Sequence, residues 1–539
     1  LNKKIMRTIN NKLKSIFTVV IVSAFMLITS CDGTDLDVNV NPNSLSPESA
    51  DPSLVLNGIQ TTFAGSNLSF NSSTRGVMRH VNMFGTYAAN APSSTMNGVW
   101  ANTYSITANT QLISQLNETL DIANHLGAAQ LMEAYNYVNL IDYIGTAVYS
   151  EAVDPAISAP NLDSGADIYD AMYDQIDEAI ANLSVPNQVL FEDLFFDGNL
   201  SKWIKLANTL KIRMYVQSKL VANANATSEI NSIIASGNYI SDMSDDFQAK
   251  FGTNNDNPDV RHPDYITGYV GGAGGLYMSN EFMNILLNDK TIEDPRLNHY
   301  IYRQSLTNPT GSLLPCAGNS SYPLCYLGSS YWGRQHADDE GIPNDNNLRS
   351  TFGAYPAGGA FDTGSGNGAT AVTPGLGGAG IYPMILSSFT DFYLAEATLP
   401  SPAGMGVTGS PVAHLENGMR KSFAKVASVS GEAMDQTAID TYVSEVLVNY
   451  GNATTDQDRL NIIMKEFYIA SWGNSIESYN GYRRTGYPEL GGSVITNTDF
   501  PRNFLIPDTE LNSNDNPAIE QITRTTKVFW DTNPDGFIQ

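Results

Sequence analysis

Aromatic and planar polar side chains are concentrated in residues 240–380, a stretch with little helical periodicity and many Gly, Pro, Ser and Asn residues. Tyr and Trp rings can pack against the C–H face of a sugar, and guanidinium groups can donate hydrogen bonds to its hydroxyls. Because aromatic residues in loops are harder to bury than those on a helix stripe, their position favours binding. Packing inside the protein is the alternative for each of them. The candidate ligand-binding residues are Tyr265, Tyr331, Trp332, Arg334 and Tyr355, with Trp100 outside this stretch.

Catalytic motifs are absent from the sequence. It contains no His-Glu-x-x-His, no Gly-x-Ser-x-Gly and no phosphate-binding P-loop. The six histidines are scattered and show no metal-ligand spacing. Carboxylate pairs suited to glycoside hydrolysis can be proposed anywhere in a chain with 55 acidic residues, so no particular pair is informative. We therefore expect a binding protein rather than an enzyme.

One acidic segment could hold a metal ion. Asp256, Asp259 and Asp264 lie among several Asn residues and could offer oxygen ligands to Ca²⁺. Their spacing lacks the register of an EF-hand loop, so an exposed acidic loop is the favoured interpretation. No other metal or cofactor is predicted.

The first 30 residues have the pattern of a secretory signal. A basic run is followed by an apolar segment at 16–28, which is too short for a permanent membrane span. The segment ends in Ile28-Thr29-Ser30-Cys31, which resembles a bacterial lipobox, and Cys31 is therefore the predicted lipidation site. A multiply acylated cysteine anchors a protein to a membrane without a spanning helix. An ordinary secretory signal with a chance cysteine is the alternative.

The other two cysteines, Cys316 and Cys325, lie nine residues apart in the loop-rich stretch. Outside the cytoplasm we expect them to form a local disulfide, and two free thiols are the alternative. No His lies at ligand spacing around them, which argues against a zinc site.

The charge of the chain excludes two kinds of partner. The formal net charge is −26, and without the five basic residues of the signal, 24 basic and 55 acidic residues leave −31. Nucleic acid needs Lys and Arg side chains to displace its counterions, so it is not an expected partner. Docking on anionic lipid through a basic patch is equally disfavoured.

Apolar residues recur at i, i+3, i+4 and i+7 in many segments, the spacing of amphipathic helices. In residues 127–144, for example, Leu131, Ala134, Tyr135 and Val138 lie on one track. Helix pairs of this size predict a mostly α fold. The predicted helices are 53–63, 100–125, 127–144, 164–183, 200–221, 279–287, 385–397, 413–428, 437–450 and 456–472.

These patterns also predict the domain organisation. Residues 1–30 form the signal, 31–52 a polar tether rich in Asn and Asp, and 53–539 a single domain. Within that domain, residues from about 240 to 380 form a loop-rich insert. The tail, residues 473–539, is predicted to be loop-like.

A series of motifs, in order along the mature chain, resembles the SusD/RagB family of nutrient-binding lipoproteins, particularly its second subfamily. One departure is Gly145-Thr146-Ala147, where the family usually has an acidic residue and a proline after the glycine. The matching motifs are Leu131-Met132-Glu133-Ala134-Tyr135, Asp142-Tyr143-Ile144-Gly145, Val148-Tyr149-Ser150-Glu151-Ala152, Lys202-Trp203, Ala207-Asn208-Thr209-Leu210-Lys211, Asp294-Pro295-Arg296-Leu297, Ala395-Glu396-Ala397, Lys465-Glu466-Phe467-Tyr468, Tyr482-Arg483-Arg484-Thr485-Gly486-Tyr487-Pro488, Pro501-Arg502-Asn503-Phe504 and Val528-Phe529-Trp530-Asp531.

The resemblance implies tetratricopeptide-like helix pairs with a large irregular part beside them, an α–α superhelix. It also implies an outer-membrane lipoprotein that faces the medium and forms a lid on a TonB-dependent β-barrel transporter of the SusC type. Asp32 and Asp35, just after Cys31, resemble the signal that sends such lipoproteins to the cell surface. Family ligands are usually oligosaccharides and sometimes peptides.

Together these features predict a non-catalytic subunit that captures an oligosaccharide at the cell surface and passes it to the transporter. Import of peptides or another nutrient by the same complex, or a surface adhesion or scaffold role, are the alternatives. Arg483 and Arg484 are expected to be buried and paired with carboxylates, with ligand contact as the alternative.

Overall fold

Helices form most of the regular structure, and the strands are short and paired in twos. Residues 51–539 form one compact unit. The predicted signal, lipobox and tether lie outside the described residues, apart from isolated positions. The computed structural model describes residues 6–7, 50–186, 189, 191–221, 223–270, 276–341, 343–345, 348–365, 375–491 and 499–538.

The N-terminal half is built mainly from long helices. Two of the predicted helices end earlier than expected, α3 at Asn117 and α6 at Gln217, and α7 was not predicted at all. After α3 the side chain of Asn117 accepts a hydrogen bond from the amide of Ile122 at 3.2 Å, which stabilises a turn instead of further helix. The helices are α1 (Pro52–Thr74), α2 (Tyr87–Asn90), α3 (Asn97–Asn117), α4 (Ala123–Ile144), α5 (Gly165–Leu183), α6 (Leu200–Gln217) and α7 (Ala226–Ser236).

Helix α4 is buried along nearly its whole length, packed by α1, α3 and α5. Two glycines allow α4 and α5 to approach closely as an antiparallel pair. A Cβ at Gly127 would lie 2.8 Å from the carbonyl oxygen of Ala179, and one at Gly165 would lie 2.7 Å from that of Gly145. Ser164 caps α5 as predicted, because its hydroxyl accepts from the amide of Asp167.

The insert contains the short strands and several short helices. The predicted helix at 279–287 is present as α9. Antiparallel pairs join β3 to β6 and β4 to β5, and β1 pairs with β2 outside the insert. The elements are β1 (Thr146–Ala147), β2 (Asp163–Ser164), β3 (Phe247–Lys250), α8 (Pro263–Tyr265), α9 (Asn280–Asn288), α10 (Leu297–Tyr300), β4 (Ile301–Arg303), β5 (Ser350–Phe352) and β6 (Ile381–Ile385).

The first four of the C-terminal helices share one hydrophobic core with α6 and α7, in which Phe392 stacks on Phe467 with centroids 5.2 Å apart. Local capping sets their ends. Helix α12 begins at Pro411 after the capping residue Ser410 and ends before Gly431, whose φ is 72°. The helices are α11 (Ser387–Thr398), α12 (Pro411–Ser430), α13 (Gln436–Asn452), α14 (Asp456–Ala470), α15 (Ser475–Thr485) and α16 (Asp508–Ser513).

The prediction of a loop-like tail is wrong, because α15 and α16 lie within it. Helix α15 has no apolar stripe, yet every one of its residues is buried. Polar side chains of α15 form hydrogen bonds and ion pairs with residues outside this helix. Arg484 pairs with Glu396 at 2.7 Å as predicted, whereas Arg483 donates mainly to the carbonyl oxygens of Asp142 and Arg502 rather than to a carboxylate.

A disulfide joins Cys316 and Cys325 in the insert. The backbone beside it lies against the start of α9, since the side chain of Asn280 donates to the carbonyl oxygen of Leu324 at 2.6 Å. Arg334 pairs with Met278 through the backbone, with 3.0 Å between the Arg334 nitrogen and the Met278 oxygen. The disulfide-bonded loop, together with Arg334 beyond it, therefore supports residues 278–280.

Close packing at Gly333 gives a first prediction. A Cβ there would lie 2.3 Å from the carbonyl oxygen of Met278 and 2.7 Å from Oδ1 of Asn280. We expect Gly333→Ala to lower the free energy of unfolding by about 1–3 kcal/mol, measured by urea denaturation. The control is Gly58→Ala on the exposed side of α1, where a Cβ meets nothing within 4 Å. That change should raise stability by up to about 1 kcal/mol, and equal effects at both sites would contradict the packing argument.

The predicted mostly α fold with helix pairs and a large irregular part is confirmed. Among the described residues, no helix is both long and apolar enough to cross a membrane.

Candidate functional site

Three adjoining cavities lie where the end of α1 meets residues 76–83 and the start of α8, and all three are lined by Arg75. The first has a volume of about 350 Å³, another about 240 Å³, and a narrow one between buried aromatic residues about 10 Å³. The first is within the range of small-molecule sites. We call these cavities together the Arg75 cleft. The first cavity is lined by Ser72, Ser73, Arg75, Gly76, Val77, Val81, Asn82, Met83, Asn90, Thr95 and Leu276.

A tight turn after α1 shapes the cleft. Arg79 has a φ of 60°, an uncommon conformation for a residue with a side chain, and its amide donates to the carbonyl oxygen of Gly76 at 3.0 Å. The turn sends the chain back beside the insert, where Val81 forms an antiparallel bridge with Met278. The amide of Asn82 then donates to the carbonyl oxygen of Tyr277 at 2.8 Å. The segment supported by the disulfide-bonded loop thereby fixes the position of Asn82.

Asn82 is the most unusual side chain in the cleft. It is only 6% exposed and lines the first cavity. Among the described residues, neither its Oδ1 nor its Nδ2 has a hydrogen-bond partner. A buried amide without partners costs free energy, and its place in a cavity wall makes Asn82 a candidate for a partner from outside the protein.

The charge in the cleft is balanced. Arg75 forms an ion pair with Asp264, and its guanidinium lies 5.9 Å from the centroid of the Phe352 ring. Among the described lining residues of the first cavity, Arg75 is the only cation. The cleft therefore offers no unpaired positive charge to an anionic ligand.

Two histidines beside Arg75 are neutral at pH 7. Burial lowers the pKa of His80 to about 3, although its hydrogen bond to Tyr468 opposes the shift. Nε2 of His80 contacts the backbone carbonyl oxygen of Tyr468, which can only accept, so Nε2 carries the proton. Nδ1 then accepts a hydrogen bond from the Ser475 hydroxyl at 2.9 Å. Burial also lowers the pKa of His262, with Asp264 opposing and Arg75 supporting the shift.

The remaining polar groups of the first cavity are uncharged hydroxyls and amides. The Asn90 side chain donates to the carbonyl oxygens of Phe84 and Thr86, at 2.6 and 2.8 Å, which leaves its Oδ1 free to accept from a ligand. Ser72, at the end of α1, is exposed, and Thr95 is half-buried in the lining of the same cavity. Such groups suit the hydroxyls of a neutral sugar.

The loop aromatic residues predicted to bind a ligand are all buried. Trp332 is 2% exposed, with its amide bonded to the Ser350 hydroxyl at 3.0 Å. Tyr331 lies under the guanidinium of Arg303, 4.6 Å from it. Arg334 pairs with Asp338 at 2.7 Å. Each of these groups already has a partner inside the insert.

The other three candidates are also part of the framework. Tyr265 stacks on Tyr269 with centroids 5.0 Å apart, and Tyr355 packs on Tyr300. Trp100 donates from Nε1 to Glu510 at 3.1 Å. The structure shows the alternative role, internal packing, for all six residues. Five of them lie in the insert, which is rich enough in aromatics to form a core of its own, and Trp100 is buried on α3. Ligand contact by them stays a prediction.

Two carboxylates of the acidic segment considered for Ca²⁺ form ion pairs with arginines. Asp264 pairs with Arg75, and Asp259 pairs with Arg261 at 2.7 Å. The part of the chain that the structure describes has no group of three or more His, Cys, Asp or Glu side chains placed to hold a metal ion.

Sequence reasoning missed Arg75 and Asn82. Both follow a helix that was predicted to end at residue 63, whereas α1 continues to Thr74. Single Arg and Asn residues in such a segment carry no motif, and only the fold brings them to one cavity.

Known families match most of the chain. Residues 42–323 match the SusD-like_2 family, described as "Starch-binding associating with outer membrane". Residues 384–523 match the SusD-like family, described as "Susd and RagB outer membrane lipoprotein". Among curated proteins, none matches this sequence.

Solved structures of SusD homologues share the fold. One from Bacteroides fragilis has a TM-score of 0.62 and 18% identity, covering 86% of this chain and 93% of its own. One from Bacteroides uniformis has a TM-score of 0.66 and 17% identity, covering 89% and 99%. A chitin-binding homologue from Flavobacterium johnsoniae has a TM-score of 0.64 and 17% identity, covering 89% and 98%. From its sequence matches and its fold, this chain belongs to the SusD/RagB family.

Proposed function

We propose that this protein captures a neutral oligosaccharide at the cell surface and holds it in the Arg75 cleft without catalysis. The observation that carries the proposal is the Asn82 side chain, buried in a cavity wall with both of its polar atoms unpartnered among the described residues. The family description as starch-binding and the chitin-binding homologue support a glycan as the ligand.

The chemistry of Asn82 fits a sugar diol. A side-chain amide presents a donor and an acceptor side by side in one plane. Two adjacent hydroxyls can match it, one donating to Oδ1 and the other accepting from Nδ2. Both atoms are inaccessible to solvent in the free protein, so a bound sugar would satisfy them once the Asn82 side chain turns towards the cavity. The Asn90 oxygen offers a further acceptor on the same cavity wall.

Calorimetric titration of the full-length chain in mild detergent tests this proposal. The panel contains maltooligosaccharides, chitooligosaccharides and other neutral glycans, with short peptides as the second class, because a peptide group also carries one donor and one acceptor. We expect binding of at least one neutral glycan and of no peptide. Peptide binding alone would favour the alternative in which the same complex imports peptides, and absence of all glycan binding would overturn the carbohydrate assignment.

Charge gives a second prediction. Because Arg75 is neutralised by Asp264 and the chain carries a net charge of −26, oligosaccharides of uronic acids should bind at least about tenfold more weakly than neutral ones of equal length. Affinity for the neutral ligand should change less than about twofold between 50 and 300 mM NaCl, since no charge is screened. Calorimetry at both salt concentrations measures this. Tighter binding of the uronate at low salt would contradict the balanced charge of the cleft.

We also propose that the protein is an outer-membrane lipoprotein, anchored through Cys31 and facing the medium, with residues 31–52 as its tether. The lipobox pattern and the family description support this location. Cys31→Ser should abolish the incorporation of labelled fatty acid into the protein, whereas the disulfide variant Cys316→Ser should not. Labelling of the Cys31→Ser variant would contradict lipidation at Cys31.

A SusC-like TonB-dependent β-barrel is the proposed partner that receives the nutrient, as family membership implies. The test is co-purification from native membranes in mild detergent, with an affinity tag after Gln539. A large β-barrel protein should accompany the chain. Purification without any partner would favour a separate surface binder or scaffold.

A further inference from the structure

A further cavity, of about 300 Å³, lies outside the Arg75 cleft and is lined by residues of the C-terminal part of the chain. Its volume is close to that of the first cavity of the Arg75 cleft. It is lined by Asp499, Phe500, Arg502, Thr525, Asp535, Gly536 and Ile538. We call it the Phe500 cavity.

The lining of the Phe500 cavity suits an uncharged polyhydroxylated ligand. Phe500 and Ile538 contribute apolar surface, while Thr525 and the exposed carboxylate of Asp499 offer hydrogen-bonding groups. Arg502 is not available to an anion, because its guanidinium holds Asp531, with Nε 2.7 Å from the carboxylate, and donates to the carbonyl oxygen of Pro534 at 2.8 Å.

Helix α2 and the residue after it form the border between this cavity and the Arg75 cleft. On one side, Asn90 lines the first cavity of the cleft. On the other, Tyr87 packs against Phe500 with centroids 5.5 Å apart. Arg524, the neighbour of Thr525, donates to the carbonyl oxygen of Ala91 at 2.9 Å. The two cavities therefore flank one short helix.

That border is narrow and carries small side chains. Ala88 and Ala89 are both exposed on α2. The four residues of α2 extend about 6 Å along the helix axis. A chain of sugars lying across Ala88 and Ala89 would meet no large side chain of α2 itself. It would lie beside the guanidinium of Arg524, which donates to the carbonyl oxygens of Ala88 and Ala91 at 3.4 and 2.9 Å.

We propose that the Phe500 cavity is a second subsite for the same neutral oligosaccharide, which crosses α2 from the Arg75 cleft. This inference rests on the proposed function, and it adds that the protein selects extended glycans over short ones. Occupation of two subsites by one ligand makes the second contact intramolecular, so affinity should rise with chain length.

Maltooligosaccharides and chitooligosaccharides of two and six units are the probes, titrated calorimetrically into the full-length chain. We expect the six-unit member of the bound series to bind about tenfold or more tightly than the two-unit member. Thr525→Trp fills the Phe500 cavity and Ala89→Trp obstructs the border. Either should abolish this length dependence and leave the affinity for two units unchanged. Ala424→Trp, at an exposed position of α12, is the matched control and should leave the length dependence intact.

The outcomes separate the two proposals. Equal affinity for two and six units in the unmodified protein, or length dependence that survives both Thr525→Trp and Ala89→Trp, would overturn the second subsite and leave the Arg75 cleft as the binding site. Failure of every probe to bind would overturn the second subsite together with binding of these glycans by the cleft.

Discussion

Replacing Asn82 by Leu should weaken glycan binding about 30- to 150-fold while leaving the protein as stable as before or more stable. Two hydrogen bonds to the ligand, each contributing about 1–1.5 kcal/mol, are lost from the complex. Each 1.4 kcal/mol corresponds to about tenfold in affinity, which gives the expected range. Calorimetric titration with the bound oligosaccharide measures the loss.

Although Asn82→Leu weakens ligand binding, it should not lower the free energy of unfolding. In the free protein, Oδ1 and Nδ2 of Asn82 have no partner among the described residues, so their removal breaks no internal hydrogen bond. Leu is similar in size, and removing an unsatisfied buried amide is expected to raise the free energy of unfolding by about 1 kcal/mol. The backbone hydrogen bond from Asn82 to Tyr277 is unaffected by the change.

Asn139→Leu is the matched control. Asn139 is fully buried, donates to Asn67 at 3.1 Å and accepts from Arg213 at 3.1 Å. This variant should lose about 1–3 kcal/mol of stability because its partners are left unpaired. If Asn82→Leu is destabilised to the same extent, the side chain has a structural role and the functional argument is wrong.

The largest expected loss of stability comes from Glu396→Gln. Glu396 is fully buried on α11, with Arg484 at 2.7 Å and Lys219 at 2.8 Å from its carboxylate oxygens. Removing this negative charge leaves the buried cations Arg484 and Lys219 without the carboxylate that both of them contact. Breaking such an arrangement costs about 3–5 kcal/mol, which urea denaturation at pH 7 measures.

Glu396 also makes the free energy of unfolding depend on pH in the acidic range. Burial alone would raise the pKa of Glu396, but Arg484 and Lys219 overcome this effect and lower it from 4.5 to about 2. As the pH falls below 4.5, the unfolded chain therefore takes up this proton before the folded chain does. The stabilisation is fully present above pH 4.5 and is lost between pH 4.5 and about 2. In the Glu396→Gln variant this part of the acid dependence should be missing.

Glu416→Gln provides the comparison at the surface. Glu416 and Arg420 form an ion pair at 2.8 Å, but 38% and 39% of the two side chains are exposed. Solvent screens such pairs, so the change should cost less than about 1 kcal/mol. A loss at Glu396 no larger than that at Glu416 would contradict the buried-charge account.

Much of the helical scaffold could be predicted from the sequence because its helices carry apolar stripes and capping residues. Helices α4, α5 and α14 begin or end within a few residues of the prediction. Helix α15 was not predicted because the residues that it buries are largely polar. Its Arg484 contacts Glu396 only in the folded protein. A periodicity argument recognises apolar contacts between helices and cannot recognise ion pairs between distant segments.

The candidate site was far less predictable. The sequence drew attention to Trp332 and its neighbours, since aromatic residues in loops are often exposed, but the insert buries them against one another. Arg75 and Asn82 have no distinctive sequence context. Their importance depends on a cavity formed by α1, the turn at Arg79 and the segment at Met278, which are far apart in the chain.

The most direct test of the central claim is a crystal structure of the protein with the oligosaccharide that calorimetry identifies. We expect a sugar unit in the Arg75 cleft, with two hydroxyl oxygens within hydrogen-bond distance of Oδ1 and Nδ2 of Asn82. A sugar bound elsewhere, with both Asn82 atoms still without a ligand partner, would contradict it.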